Sequence, residues 1–269
     1  MPRFSNLELG ESFDSELLRD APLGSGGETR DERYYLAQAY EHYQKAQFDK
    51  ALRLYSRALE FDPNLVEGWS GQARMLIEMG EYKEALLWAD KALDIFPDHS
   101  ELLASKAVAY VRNGNRKKAL ELSDAAMQMK YASVYSWLTR GEVMLATKGW
   151  NDEYCFLRAV AAAGRDWFTR LLIARIYYFY HEHARAVDYA HQAIALHPTS
   201  PLAWHVLASS LAELGMRSQS RKAYMEALKL DTHFMPAQMG LKNLDSTSLF
   251  SLVSSPFRWL FAPVRWLFH

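Results

Sequence analysis

The hydrophobic pattern of this chain repeats itself. The segments "KALRLYSRALEFDP", "EALLWADKALDIFP" and "RAVDYAHQAIALHP" share a layout in which alanines hold fixed places, bulky residues stand between them and charges fill the rest. Each ends on a proline. Pro97 follows Pro63 by one period, and Pro198 lies close to three further periods beyond Pro97. Tyr131 and Thr232 stand where two more prolines would fall, after "KALELSDAAMQMKY" and "KAYMEALKLDT". The period is about 34 residues, and with small residues at fixed phases it predicts an array of helix–turn–helix units.

The phases have a steric reason. Two antiparallel helices approach closely only where side chains are small, so alanine or glycine is expected at each crossing. On the first helices these are Ala39, Ala73, Ala107, Gly141, Ala174 and Ala208; on the second, Ala58, Ala92, Ala126, Ala159, Ala193 and Ala227. Tyr35, Trp69, Leu103, Trp137 and Trp204 each stand four positions before a first-helix crossing and fill the space beside it. Gly80, Gly114 and Gly215 mark turns where a helix end takes a left-handed residue. The prolines end second helices and open the next unit.

On these residues the sequence resembles the tetratricopeptide repeat family, with its pattern W-x2-L-G-x2-Y…A-x3-F…A…P, in six consecutive repeats at about 32–65, 66–99, 100–133, 134–166, 167–200 and 201–234. The resemblance implies an all-α fold, a right-handed superhelical solenoid of six helix–turn–helix repeats closed by a capping helix. Two repeats depart from the pattern. The fourth is one residue short between its helices, near Lys148–Asn151; the fifth has Arg170 in place of an aromatic and "HEH" in place of the turn glycine. A local kink or rotation is expected there. The organisation that follows is a flexible acidic arm at 1–30, repeats at 31–234, a capping helix at 235–245 and an aromatic amphipathic tail at 246–269.

In the family, first helices line a concave groove that takes a peptide or helix of another protein. The groove phases here begin with Arg33, Leu36, Tyr40 and Tyr43, then Glu67, Ser70, Arg74 and Ile77, and continue through Glu101, Ala104, Val108 and Val111. The later repeats add Tyr135, Leu138, Glu142 and Leu145; then Phe168, Leu171, Arg175 and Tyr178; then Leu202, His205, Ser209 and Ala212. Arg33, Tyr40, Tyr43, Arg74, Tyr135, Glu142, Phe168, Arg175 and Tyr178 are the candidate partner-binding residues. Such a groove suits an apolar segment better than a highly charged one. The family's clamp for the carboxylate ends of heat-shock proteins is absent, its phases being held by Leu36, Tyr40, Gly71, Glu101 and Ser105. Some aromatics of "RIYYFY" must instead pack between repeats.

Composition narrows the function. A net charge of −1 argues against nucleic acid as partner. The one cysteine, Cys155, falls in the fourth repeat's second helix beside Phe156 and Leu157, where a small buried thiol is the expectation. His181, His183, His191 and His197 cluster in the fifth repeat without metal-ligand spacing, and "GSGGE" lacks the context of a phosphate loop. No catalytic set, metal or cofactor is expected, so the chain reads as a non-enzymatic scaffold. Its N-terminal stretch has acids where a signal peptide needs an apolar core, so a cytoplasmic location is expected, with peripheral attachment to the inner face of a membrane.

Attachment would come from "SPFRWLFAPVRWLFH", where RWLF occurs twice at a spacing of seven. Residues 246–269 carry two arginines and no acid, whereas 1–32 carry eight acids and three arginines. Phe257, Arg258, Trp259, Phe261, Arg265, Trp266 and Phe268 form the candidate docking tail. Aromatics at the headgroup boundary and arginines facing anionic lipid make an interfacial anchor. The arginines and prolines count against a span. A docking motif for another protein and a strip folded back on the solenoid remain open. Beside the membrane adaptor stand two alternatives: a chaperone or assembly factor that shields an apolar client segment, and an auxiliary subunit whose tail is a subunit contact.

Overall fold

A computed structural model describes residues 30–253 apart from 130, 131 and 150, with side chains placed up to Asp245. The described residues are all-α. The helices are α1 (Glu32–Gln44), α2 (Phe48–Phe61), α3 (Val66–Glu78), α4 (Tyr82–Ile95), α5 (Ser100–Arg112), α6 (Arg116–Gln128), α7 (Val134–Ala146), α8 (Asp152–Ala163), α9 (Trp167–Phe179), α10 (His183–Leu196), α11 (Pro201–Glu213), α12 (Arg217–Leu230) and α13 (Met235–Val253). The chain divides into two compact units, up to Ile173 and from Ala174, so the division falls inside α9.

The pairing follows from the turns. Between first and second helices the backbone turns through one left-handed residue: Ala46, Gly80, Gly114, Lys148, His181 and Gly215. The three glycines are the ones the sequence marks; the other three carry a side chain at φ of 55–63°. A residue with a Cβ is disfavoured there by about 1–2 kcal/mol, so packing of the flanking helices must hold it. The six positions keep the repeat period, except that the step from Lys148 to His181 is one shorter than the others. The fourth repeat is therefore short, but not between its helices as the sequence suggests: the connection there is longer than in the other repeats, and the loss falls in α8, whose 12 residues make it the shortest second helix. Most second helices open two positions after the left-handed residue, but α8 opens four after Lys148.

All twelve small residues at the expected crossings are buried. At the crossing residue Gly141 an added Cβ would come within 2.4 Å of the Phe156 ring, and two positions before the crossing phase the same closeness recurs at Gly71, 2.4 Å from the Tyr55 ring, and at Gly240, 2.4 Å from Tyr224. The bulky residue beside a crossing has a second task. The Trp69 indole N–H donates to the Pro63 carbonyl at 2.8 Å, and Trp204 does the same to Pro198 at 2.8 Å. Each thereby ties a first helix to the end of the helix before it. Arg170, which replaces the aromatic in the fifth repeat, instead donates from Nη1 to the Asp166 carbonyl at 2.8 Å.

Within the first unit each first helix packs on its own second helix, and α3–α5 and α5–α7 also pack on each other. In the second unit α10, α11, α12 and α13 pack in succession, and α13 also touches α11. α13 runs on to Val253, two turns past Asp245, where the sequence pattern places its end.

Candidate functional site

The first-helix face of the first unit is built from α1, α3, α5, α7 and the opening half of α9. Its two interior cations are both paired. Arg74 on α3 holds the Glu101 carboxylate of α5 at 2.5 Å and lies 3.8 Å over the Tyr135 ring of α7. Tyr135 Oη accepts a 3.3 Å bond from Ser105 Oγ, which also reaches the Glu101 carbonyl at 2.9 Å. One constellation thus links three consecutive first helices. About two to three turns further along those helices, Arg112 grips Glu142 with Nε at 2.6 Å and Nη2 at 3.1 Å, a two-pronged contact between α5 and α7.

Burial sets the electrostatics. It opposes the charge on Arg74, but the Glu101 carboxylate and the Tyr135, Tyr43 and Tyr55 hydroxyls outweigh it, and the guanidinium pKa lies above its ordinary value. Burial pushes the Tyr55 phenol up to about 12 and raises that of Tyr135, in both cases against the pull of Arg74. These tyrosines are neutral and Arg74 is charged at every physiological pH. With the carboxylates of Glu101 and Glu142 engaged by Arg74 and Arg112, the face offers little net charge.

The nine sequence-predicted groove residues fall into three groups. Arg33 and Tyr40 are exposed, Tyr40 at 42%. Arg74 and Tyr135 are half-buried, as are Arg175 and Tyr178 in the second unit. Tyr43, Glu142 and Phe168 are buried, at 2%, 2% and 1% exposure. Tyr43 and Phe168 meet edge to face at 4.9 Å between centroids, and Tyr40 meets Phe168 at 5.8 Å. This α1–α9 contact buries Tyr43 and Phe168, which serve packing, and leaves Tyr40 exposed at its edge. Ala104, Val108, Val111, Ile77 and Leu171 on the same face are buried too. Spacing within a repeat does not show such closure, because it joins the first repeat to the fifth. Arg112 is likewise missed by groove phase. Its signal is an opposite charge at Glu142, close to one repeat period further on.

In the second unit the first-helix face carries Arg175, Tyr178, His205 and Ser209. His205 sits 5.8 Å from the Tyr224 ring and 5.9 Å from Phe234, at the start of α13. Burial and the Arg175 charge lower its pKa to about 4, so the imidazole is neutral at pH 7. Ser209 Oγ and Tyr224 Oη share a 3.1 Å hydrogen bond. The outer side of α13 is different. Met235 and Met239 are each 59% exposed, and Lys242 is exposed beside them.

Cys155 is buried, and burial raises its thiol pKa, which disfavours the reactive thiolate. Among the described residues no three His, Cys, Asp or Glu side chains gather as a metal site, and no helix is long and apolar enough to cross a membrane. Phe257, Arg258, Trp259, Phe261, Arg265, Trp266 and Phe268 lie outside the described residues, as does the arm at 1–29.

Models of the tetratricopeptide repeat match residues 36–100 and 202–234. Among solved structures the chain is similar to the APC/C hetero-tetramer Cut9–Hcn1, with TM-score 0.52 and 16% identity over 80% of this chain and 43% of that one. It is also similar to a tetratricopeptide repeat protein from Parabacteroides merdae, with TM-score 0.52 and 17% identity over 80% of this chain and 84% of that one. The chain thus spans less than half the length of the first of these. At such identities the likeness is one of fold. No curated protein matches the chain in sequence.

Proposed function

The chain belongs to the tetratricopeptide repeat family, and from that premise we propose that it is a non-enzymatic adaptor of six repeats that holds an apolar segment of another protein on its first-helix face and docks to a membrane surface through residues 246–269. The observation that carries the first half is the mutual pairing of Arg74 with Glu101 and of Arg112 with Glu142. A face that satisfies its own charges gives a charged ligand nothing to exchange for its lost hydration, whereas an apolar ligand loses little on leaving water. The contacts open to it on the first unit are Arg33, Tyr40, Arg74 and Tyr135, with Tyr43, Glu142 and Phe168 buried among them; the second unit, taken by itself, offers Arg175 and Tyr178. The second half rests on the tail's composition, paired RWLF units with arginine and no acid.

Peptides selected for binding from a random displayed library test the first half. The selected sequences are expected to be apolar or aromatic. Tyr40→Ala and Arg74→Ala are each expected to weaken them about tenfold, or about 1.4 kcal/mol, with the helical circular-dichroism signal unchanged. Selected peptides dominated by charge, or equal binding to both variants and the wild type, would remove the first-helix face from consideration. For the tail, Trp259→Ala with Trp266→Ala in the full chain is expected to abolish flotation with anionic vesicles.

A further inference from the structure

α13 is held on one side as a first helix and left bare on the other. Its inner side repeats the geometry of α3. Gly240 receives Tyr224 as Gly71 receives Tyr55, with the same separation along the chain in both pairs. The Gln238 side-chain amide donates to the Thr232 carbonyl at 2.7 Å, as the Trp204 indole does to Pro198 across the same sequence distance. Ala237 and Leu244 are buried there, Arg217 donates to the Leu244 carbonyl at 2.6 Å, and Arg221 pairs with Asp245.

The features that would let a further helix pack outside it are missing. The crossing position, alanine or glycine in all six first helices, is Lys242 here. The turn position one period after Gly215 is 249, and the helix passes straight through it. What the outer side offers instead is Met235, Met239 and Lys242, which at about 100° per residue fall within an arc of about 60°. No acid follows Asp245 in the sequence, and Asp245 is already paired with Arg221.

Exposed methionines on one arc and a lysine whose stem can lie along them while its ammonium reaches outward, followed in the sequence by a stretch rich in aromatics and arginine, suit one complement. We propose that the outer side of α13 is itself lipid-facing: Met235 and Met239 enter the headgroup boundary of an anionic bilayer, Lys242 meets its phosphates, and this stretch of the helix lies along the membrane. This rests on the reading of the tail as a membrane anchor and adds to it that the solenoid's last helix is part of the anchor. The second unit would then meet the surface through one of its own helices.

The test is flotation of the full chain with phosphatidylcholine vesicles containing phosphatidylserine, and with phosphatidylcholine alone. Wild type is expected to float on the anionic vesicles. Met235→Glu with Met239→Glu is expected to reduce the bound fraction at least tenfold without altering the helical signal, since both side chains are exposed. Met235→Leu with Met239→Leu should retain binding, and Lys242→Glu should weaken it most at low salt. If wild type does not float, the tail reading and this one both fail. If wild type floats, Trp259→Ala with Trp266→Ala abolishes flotation and the glutamate pair does not reduce it, the tail reading stands and this inference fails. If the glutamate pair instead shifts tryptophan emission to longer wavelength without vesicles, the methionines are covered by the tail itself and the inference is overturned.

Discussion

α3 and α13 occupy the same phase of the repeat and differ on one side only. Each offers a glycine to the tyrosine of the preceding helix, Gly71 to Tyr55 and Gly240 to Tyr224. Beyond that shared side, α3 is enclosed: Ser70, Ala73, Met75, Leu76 and Ile77 are all buried, and Arg74 reaches α5 and α7. α13 has exposed methionines and a lysine in the corresponding region. One helix thus shows what a repeat needs from its predecessor, and the other shows how stacking is interrupted. A single lysine at the crossing is enough, because no helix can approach to van der Waals contact over a buried ammonium without a large desolvation cost.

The largest effects should come from breaking the shared side. Tyr55→Ala is expected to cost about 3–5 kcal/mol in chemical denaturation, as truncation of a large buried ring does. Tyr224→Ala should cost less, because beside its contacts with Ser209 and His205 on α11 it releases α13 rather than an enclosed repeat, and should appear first as faster amide exchange in Met235–Val253. Equal losses at the two sites would mean that α13 is not a terminal element. An intermediate effect concerns pH. His205, under Tyr224 and Phe234 and facing Arg175, has its pKa lowered from 6.5 to about 4. The unfolded chain therefore binds the extra proton first, and stability falls as pH drops from about 6.5 to 4, by up to about 3 kcal/mol. His205→Phe should flatten that part of the melting-temperature profile. A profile unchanged by the substitution would show that His205 is not the group responsible.

Much of this was legible in the sequence, and for local reasons. Period, crossing residues and the glycine turns concern neighbours within a single repeat period, where steric rules act directly on residue type. The left-handed Ala46 and Lys148 were not, because nothing in those residues asks for such a backbone; at His181 the phase alone marked the turn, and in all three the helices on either side impose the conformation. The first-helix face was half legible. First-helix phase correctly gathers Arg74, Glu101 and Tyr135, but the packing of Tyr43 on Phe168 depends on how curvature accumulates over several repeats, which no single repeat encodes. The lysine at 242 was readable as a broken crossing, yet its meaning depended on knowing that α13 otherwise keeps full repeat geometry.

The most direct measurement is hydrogen–deuterium exchange of the full chain with and without anionic vesicles. Met235–Val253 is expected to gain protection on the vesicles while Val66–Glu78 exchanges at the same rate in both. Unchanged exchange in Met235–Val253 under conditions where the protein is vesicle-bound would contradict a lipid-facing last helix.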